Sequence, residues 1–290
     1  MIFSKEKTCA VIVTYNPELE RLSENIEAIF SQVGMVILID NNSININDIK
    51  AVITQFDEGL IEVLESTENL GIAFALNSAL TYCKKNDFEF LITLDQDSIS
   101  SKNMVDNLSV HLIQGEDIAM VGPQIIDINT ERSQGNANKK PEDTMLLITS
   151  GALCKVDTLL SVGGFNNKLF IDCVDFDMSL KLYESGYKVL RANDVCMTHE
   201  IGHKTKISIF NVSFYLLNHS PLRVYYMVRN RIYLIFRYKH LRGYNRRKEL
   251  RHLITRSLAC LFFESERRKK MISTFRGVWD VLWNYDQIKK

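Results

Sequence analysis

Residues 8 to 123 alternate between two spacings of apolar side chains. Cys9 to Thr14 is a run dominated by β-branched residues, whereas Leu19, Leu22, Ile26, Ile29 and Phe30 recur at helical spacing as far as Gln32. The exchange then repeats. Strands are predicted at Met35 to Asp40, Leu60 to Leu64, Phe88 to Leu94 and Ala119 to Gly122, separated by helices around Ile46 to Phe56, Ile72 to Lys85 and Asn103 to Gln114. Such alternation predicts a mostly parallel sheet with helices on both faces, reached by right-handed crossovers.

The pattern loosens further on. Residues 129 to 143 are polar, with Gly135 and Pro141, and read as a surface loop. Met145 to Thr149 reads as a strand ended by Ser150-Gly151, and Val156 to Val162 as a short helix stopped by Gly163-Gly164. A helix over Asp175 to Glu184 and strands at Lys188 to Leu190 and Val195 to Thr198 follow. From Ile207 the pattern is helical to the end, with Arg and Lys interleaved among Tyr, Phe, Leu and Trp. The expected division is an α/β domain over 1–205 and a basic, aromatic-rich helical region over 206–290.

Charge sharpens that division. The chain of 290 residues has a net charge of zero, yet residues 1–200 hold 15 Lys and Arg against 30 Asp and Glu, and 201–290 hold 20 against 5. The two parts are expected to meet different partners. Six scattered cysteines without a CxxC pair, and no leader pattern, point to a reducing cytoplasm. No run of 18 uncharged apolar residues suggests a spanning helix.

Asp95-Gln96-Asp97 follows the Phe88 to Leu94 strand. Two carboxylates at the carboxyl end of a buried strand suit a hard cation completed by phosphate oxygens, and a turn with a capping Asp explains them equally well. Strand one runs into Tyr15-Asn16-Pro17-Glu18 and not GxGxxG, which argues against hydride chemistry. Asp40-Asn41-Asn42-Ser43 ends strand two, either as a turn or with Asp40 accepting from a pyrimidine imide. Asn69-Leu70-Gly71 opens a helix whose free N–H groups suit a nucleotide or sugar, or serves only as its cap. Asp172, Asp175 and Asp177 exceed what helix capping needs, and one of them could act as a general base. His199-Glu200-Ile201-Gly202-His203 matches HExxH in letters, but it is not set in an amphipathic helix, and a histidine ligand to the diphosphate's metal fits better.

Together, Val11-Ile12-Val13-Thr14-Tyr15-Asn16, Asp40-Asn41-Asn42-Ser43, Asn69-Leu70-Gly71-Ile72-Ala73, Asp95-Gln96-Asp97, Gly163-Gly164-Phe165 and Val174-Asp175-Phe176-Asp177 resemble, in order, the motifs of family 2 glycosyltransferases. Leu169-Phe170-Ile171-Asp172 with Val174-Asp175 is similar to the bacterial subgroup using dTDP-L-rhamnose. The resemblance implies an inverting enzyme of the GT-A fold, Rossmann-like, with a C-terminal α-helical region. It implies donor contacts from Thr14, Tyr15, Asn16, Asp40, Asn69, Gly71, Asp95, Gln96 and Asp97, and Mg²⁺ or Mn²⁺ on Asp95, Asp97 and His199. Asp175 falls at the catalytic base, with Asp172 or Asp177 as alternatives, because Val174 replaces the usual Glu and Lys181 the usual Arg.

Acceptor contacts are expected from Ser150, Gly151, Arg229 and Asn230. The expected partners are a dTDP- or UDP-sugar and a glycan or polyprenyl-diphosphate-linked acceptor for cell-surface polysaccharide. The basic helices would rest on the anionic inner face of the cell membrane, or pair with a second copy. No nucleic-acid partner is expected. The competing readings are a family 2 enzyme of other sugar specificity, a nucleotidyltransferase, and a silent scaffold subunit.

Overall fold

The computed structural model describes residues 2–57, 59–127, 132–133, 140–199, 205–209, 212–216 and 218–289. Strands β1 (Thr8–Thr14), β2 (Met35–Asp40), β3 (Ile61–Glu65) and β4 (Phe90–Asp95) pair in parallel, in the order β3-β2-β1-β4. Helices α1 (Leu19–Phe30), α2 (Ile46–Ile53) and α3 (Ile72–Lys85) make the crossovers. Residues along β1 alternate between two apolar clusters: Cys9 and Val11 pack with α3, and Ala10 and Ile12 with α1 and α2. A central parallel strand must be apolar on both faces, which is why Cys9 to Thr14 carries no alternation in sequence.

Beyond β4 the sheet curls. β5 (Ser98–Ser100) follows β4 after Gln96 and Asp97, and α4 (Met104–Leu112) leads to β6 (Ile118–Asp127). The short strands β7 (Arg132–Ser133) and β8 (Glu142–Asp143) pair with β6 and with β10 (Lys188–His199), inside the span read from sequence as loop. β9 (Ala152–Lys155), α5 (Val156–Ser161) and α6 (Val174–Glu184) complete the set before β10. Pairing runs β4-β9-β6-β10-β5, so the path that leaves β4 returns to the strand that follows it in the chain. Gln96 and Asp97 stand where the curl closes.

Three expectations change. The strand expected at Met145 to Thr149 is not one, because Ser179 Oγ lies 3.3 Å from both the N–H and the carbonyl of Leu147 and takes the place of a ladder. Pairing begins after Ser150-Gly151, where Ala152–Lys155 runs antiparallel to β4. The two strands expected near 188 and 195 are one, with a register shift between Ala192 and Cys196. The segment from Ile207 is first a hairpin, β11 (Thr205–Ile209) with β12 (Val212–Leu216). Its registers set Ile207 opposite Phe214 and Ile209 opposite Val212, a period of two that short runs of apolar residues hide.

Helices α7 (Pro221–Arg237), α8 (Arg246–Phe263) and α9 (Arg267–Lys289) follow. Ser220 caps α7 by accepting the Arg223 N–H at 3.3 Å, and Pro221 opens it where no N–H is needed. Tyr233 and Leu234 of α7, Tyr238 that caps its end, and Val281 and Ile288 of α9 join the cluster that holds Leu169, Val174 and Met178. The core is therefore continuous from sheet to terminal helices. A Cβ at Gly277 would lie 2.8 Å from the Tyr225 carbonyl oxygen, so α7 and α9 touch backbone to backbone there. Among the described residues no helix is long and apolar enough to cross a membrane.

Candidate active site

β2 and β3 extend the sheet to one side of β1, and β4 returns on the other. In open α/β sheets the crevice beyond the strand ends at such a reversal is where ligands bind. A cavity of about 570 Å³ occupies it, lined by Thr14, Tyr15, Asn41, Asn69, Gly71, Asp95, Gln96 and Asp97. Gln96 Oε1 accepts the Tyr15 N–H at 2.8 Å and fixes the loop after β1 to the turn after β4.

Asp40 is fully buried beside this cavity, and Asn41 is the neighbour that lines it. Its Oδ1 accepts from Thr14 Oγ1 at 2.9 Å and Ser43 Oγ at 2.5 Å, and its Oδ2 from the Ser43 N–H at 2.7 Å. Asn16 adds to the brace, donating its N–H to Ser43 Oγ at 2.8 Å and accepting the Ile44 N–H at 2.9 Å. Asp40 and Asn16 thus hold the two loops to each other.

A second cavity of about 250 Å³ adjoins the first, sharing Ile72, Asp95, Ile171, Asp172, Arg223 and Met227 with it. Asp175, in the first turn of α6, lines it, as do Arg231, His252 and Arg256 from α7 and α8. Burial pushes the Asp175 carboxyl up to about 7. The Phe176 N–H, donating to Oδ1 at 2.9 Å, opposes the rise, and Asp172 and Asp95 add to it. Burial also raises Asp172, against Arg223, and takes His219, in the first cavity, down to about 4, so that its imidazole is neutral at pH 7.

The backbone before α6 is held in sparsely populated conformations. Phe170 (φ 60°, ψ −67°) centres a γ-turn closed by the Ile171 N–H on the Leu169 carbonyl at 2.7 Å, and Asp172 and Cys173 follow at φ 63° and 64°. Left-handed backbone costs roughly 1–2 kcal/mol per non-glycine residue. Asn230 of α7 offsets it, its Nδ2 lying 2.7, 2.8 and 2.8 Å from the carbonyls of Leu169, Ile171 and Asp172. Arg229 donates to the Lys168 carbonyl and, through Nε, to Asn230 Oδ1 at 2.9 Å, while Tyr226 stacks on Phe170 at 4.9 Å. The Ile72 N–H at the start of α3 donates to the Phe170 carbonyl at 2.7 Å. Gly71 sits there at φ 86°, and a Cβ on it would meet that carbonyl oxygen at 2.5 Å.

With this geometry in view, the model of the family described as glycosyl transferase family 2 matches residues 9–163. The chain is 30% identical over 249 residues to the dTDP-rhamnosyl transferase RfbF of Shigella flexneri, covering 80% of each. The chain belongs to glycosyltransferase family 2. Its fold is GT-A: it superposes with a TM-score of 0.60 at 15% identity on the mannosyltransferase PcManGT from Pyrobaculum calidifontis, solved with GDP-Man and Mn²⁺, covering 96% of this chain and 87% of that one. GalNAc-T7, solved with UDP, GalNAc and Mn²⁺, gives 0.59 at 14% identity, with 96% of this chain matched to 57% of that longer one.

The glycosyltransferase distributes its expected site residues unevenly. Thr14, Tyr15, Asn69, Gly71, Asp95, Gln96, Asp97, Asp172 and Asp175 line the two cavities. Asp177 does not: it is fully buried, accepts from Tyr238 at 2.9 Å and pairs with Lys181 at 3.4 Å. Ser150 and Gly151, expected at the acceptor, lie behind Asp95, with Ser150 Oγ accepting its N–H at 3.2 Å; their neighbour Thr149 lines the second cavity. Arg229 and Asn230 are buried and spent on the loop, lining neither cavity. His199 ends β10 with its backbone opposite Ser98, its side chain and all of Glu200 and His203 lying outside the described residues. Asn41, Phe170, His219, Arg223 and Arg231 line the cavities without having been singled out as site residues from the sequence.

The oxygen donor set of Asp95 and Asp97 fits a hard cation. Among the described residues no group of three or more His, Cys, Asp or Glu is arranged to hold one, so a bound ion would rely on ligand oxygens for much of its shell.

Two outcomes follow from the loop and its carboxylate. The expectation that Asp175 is the general base predicts that Asp175→Asn keeps nucleotide binding and loses roughly 10² to 10⁴-fold in transfer. Because a base must be deprotonated, wild-type kcat/KM should climb with pH and level off above about 7, and a flat profile from pH 5 to 8 would remove Asp175 from that role. Asn230→Ala takes the amide away from the Ile171 and Asp172 carbonyls and leaves the Leu169 carbonyl only the Ile171 N–H, so it should cost about 2–3 kcal/mol in denaturant unfolding and at least tenfold in kcat at a temperature where the variant is folded. Wild-type kcat in that variant would show that the loop holds its shape without the clamp.

Proposed function

We propose that this glycosyltransferase transfers L-rhamnose from dTDP-L-rhamnose, with inversion, to a hydroxyl of a glycan or polyprenyl-diphosphate-linked acceptor in the synthesis of a cell-surface polysaccharide. The sugar is suggested by the similarity to the Shigella flexneri dTDP-rhamnosyl transferase. The mechanism rests on one observation, the meeting of two cavities at Asp95 and Asp172 with a raised-pKa carboxylate in the second.

In this reading the first cavity takes the nucleotide-sugar and the second the acceptor. Asp175 removes the proton of the acceptor hydroxyl as its oxygen attacks the anomeric carbon, and the bond from that carbon to the β-phosphate oxygen breaks with its electron pair going to the diphosphate. A single displacement needs no covalent nucleophile. Asp95 and Asp97, with His199 as a further ligand, would hold Mg²⁺ or Mn²⁺ against the diphosphate, and the ion supplies counter-charge to the leaving group. Asp40 and Asn16 shape the base-binding end by bracing its loops, and Asn41 offers the amide that faces the cavity.

The terminal helices suit a peripheral site on the cytoplasmic face of the membrane. Phe275, Trp279 and Trp283 of α9 are exposed, the two indoles stacked at 3.7 Å, and Arg268, Lys269 and Arg276 are exposed on the same helix. Aromatic and basic side chains together favour an anionic lipid interface over bulk water.

Excess EDTA should abolish transfer, and dTDP with Mn²⁺ or Mg²⁺ should raise the melting temperature more than UDP or GDP, since a ligand bound only by the folded state stabilises it. Full turnover in EDTA would refute the metal, and stronger stabilisation by UDP would move the donor to another sugar nucleotide. In liposome flotation the full chain should rise with anionic vesicles at low salt and less at high salt. A chain that stays in solution and sediments as a dimer would assign the α9 face to a second copy.

A further inference from the structure

We propose that Arg223 is a catalytic residue that binds the leaving diphosphate, exchanging its resting partner Asp172 for phosphate oxygens when donor enters. The inference deepens the proposed function and rests on the first cavity being the nucleotide-sugar site.

Charge raises the question. Asp95, Asp97 and Asp172 line that cavity, and a nucleoside diphosphate brings further negative charge to it. Among its described lining residues Arg223 is the one Lys or Arg, and the neighbouring His219 is neutral at pH 7. As the glycosidic bond to the β-phosphate breaks, the departing oxygen takes the bonding electron pair and the diphosphate gains a full negative charge. A guanidinium beside it stabilises that charge more in the transition state than in the bound donor, which is the condition for raising kcat.

Geometry separates Arg223 from the other arginines of the region. Its contacts with Asp172 are long, 3.3 Å from Nε and 3.5 Å from Nη2, and its side chain is 43% exposed. Charge-assisted pairs close to about 2.7–2.9 Å when fully formed. Arg237 makes such a pair with Glu184, at 2.8 and 2.6 Å, Arg231 is paired with Glu249, and Arg256 with Glu264 at 2.8 Å. Arg223 alone of these four lines both cavities, so its fork can turn from a carboxylate to a phosphate, whose oxygens match it equally well. The Ser220 cap and Pro221 set the direction of the turn of α7 that carries it.

The test is calorimetric binding of dTDP, dTMP and thymidine, with Mg²⁺, to the full-length wild type, Arg223→Gln, Arg223→Lys and the double variant Asp172→Asn/Arg223→Gln, alongside kcat for transfer. Arg223→Gln should weaken dTDP about ten- to hundredfold, leave thymidine unchanged and lower kcat, whereas Arg223→Lys should keep part of the preference for dTDP over dTMP. The double variant should remain as weak for dTDP as Arg223→Gln. Recovery of wild-type dTDP affinity in the double variant would mean that Arg223 only neutralises Asp172, and would overturn the proposal, as would an equal loss for dTDP and thymidine. The wild-type measurements stand apart: preference for UDP or GDP would change the donor and carry the same comparison to that diphosphate, and binding of no nucleoside diphosphate would overturn both readings.

Discussion

The contact on which the catalytic arrangement depends is that of one buried amide, Asn230, with three carbonyls of a backbone that turns left-handed at Phe170, Asp172 and Cys173. These are not glycines, so the conformation has to be imposed by its surroundings. What it achieves is placement. The γ-turn at Phe170 directs its carbonyl to the first N–H of α3, beside the first cavity, and the residues after it deliver Asp172 to both cavities and Asp175 to the second. The terminal helices are for this reason part of the unit that shapes the two cavities, and Tyr233, Leu234 and Tyr238 seal them to it with shared core.

The imbalance of charge along the chain takes on a local meaning at this junction. The α/β part supplies the carboxylates, at strand ends and at the start of α6, and α7 and α8 bring guanidinium groups up to them. Most of those groups are balanced by a glutamate of their own region, as Arg231 is by Glu249 and Arg256 by Glu264. Burial then leaves Asp175 as a carboxyl poised near neutrality, the range in which a group can both accept a proton and give it up.

Much of this was legible in the sequence, and what was not has physical reasons. Apart from the three-residue β5, the strands and helices before Gly122 announce themselves by apolar runs and helical spacings long enough to read, and Asp95 and Asp97 could be placed from the strand they follow. The pairing of β11 with β12 was hidden because two five-residue strands carry too few repeats of their period to stand out from a helical run. Met145 to Thr149 has the composition of a strand, but the N–H and carbonyl of Leu147 at its centre are taken by Ser179, which lies 32 positions away. Arg223 and Asn230 share a helix, and no spacing rule distinguishes the side chain facing a cavity from the one buried on a loop. That difference is set by residues about fifty to sixty positions away.

Gly71 carries a consequence for how such an enzyme can change. The start of α3, beside the first cavity, and the loop that carries Phe170 and Asp172 touch so closely that there is no room for even a methyl group between them. The parts on either side of this contact therefore cannot be exchanged between relatives as independent modules: a chimaera joined between residues 71 and 170 inherits one side of it without the other. New sugar specificities would have to arise by substitutions around a fixed seam, and recombination across it would be selected against wherever the two parents set that loop differently.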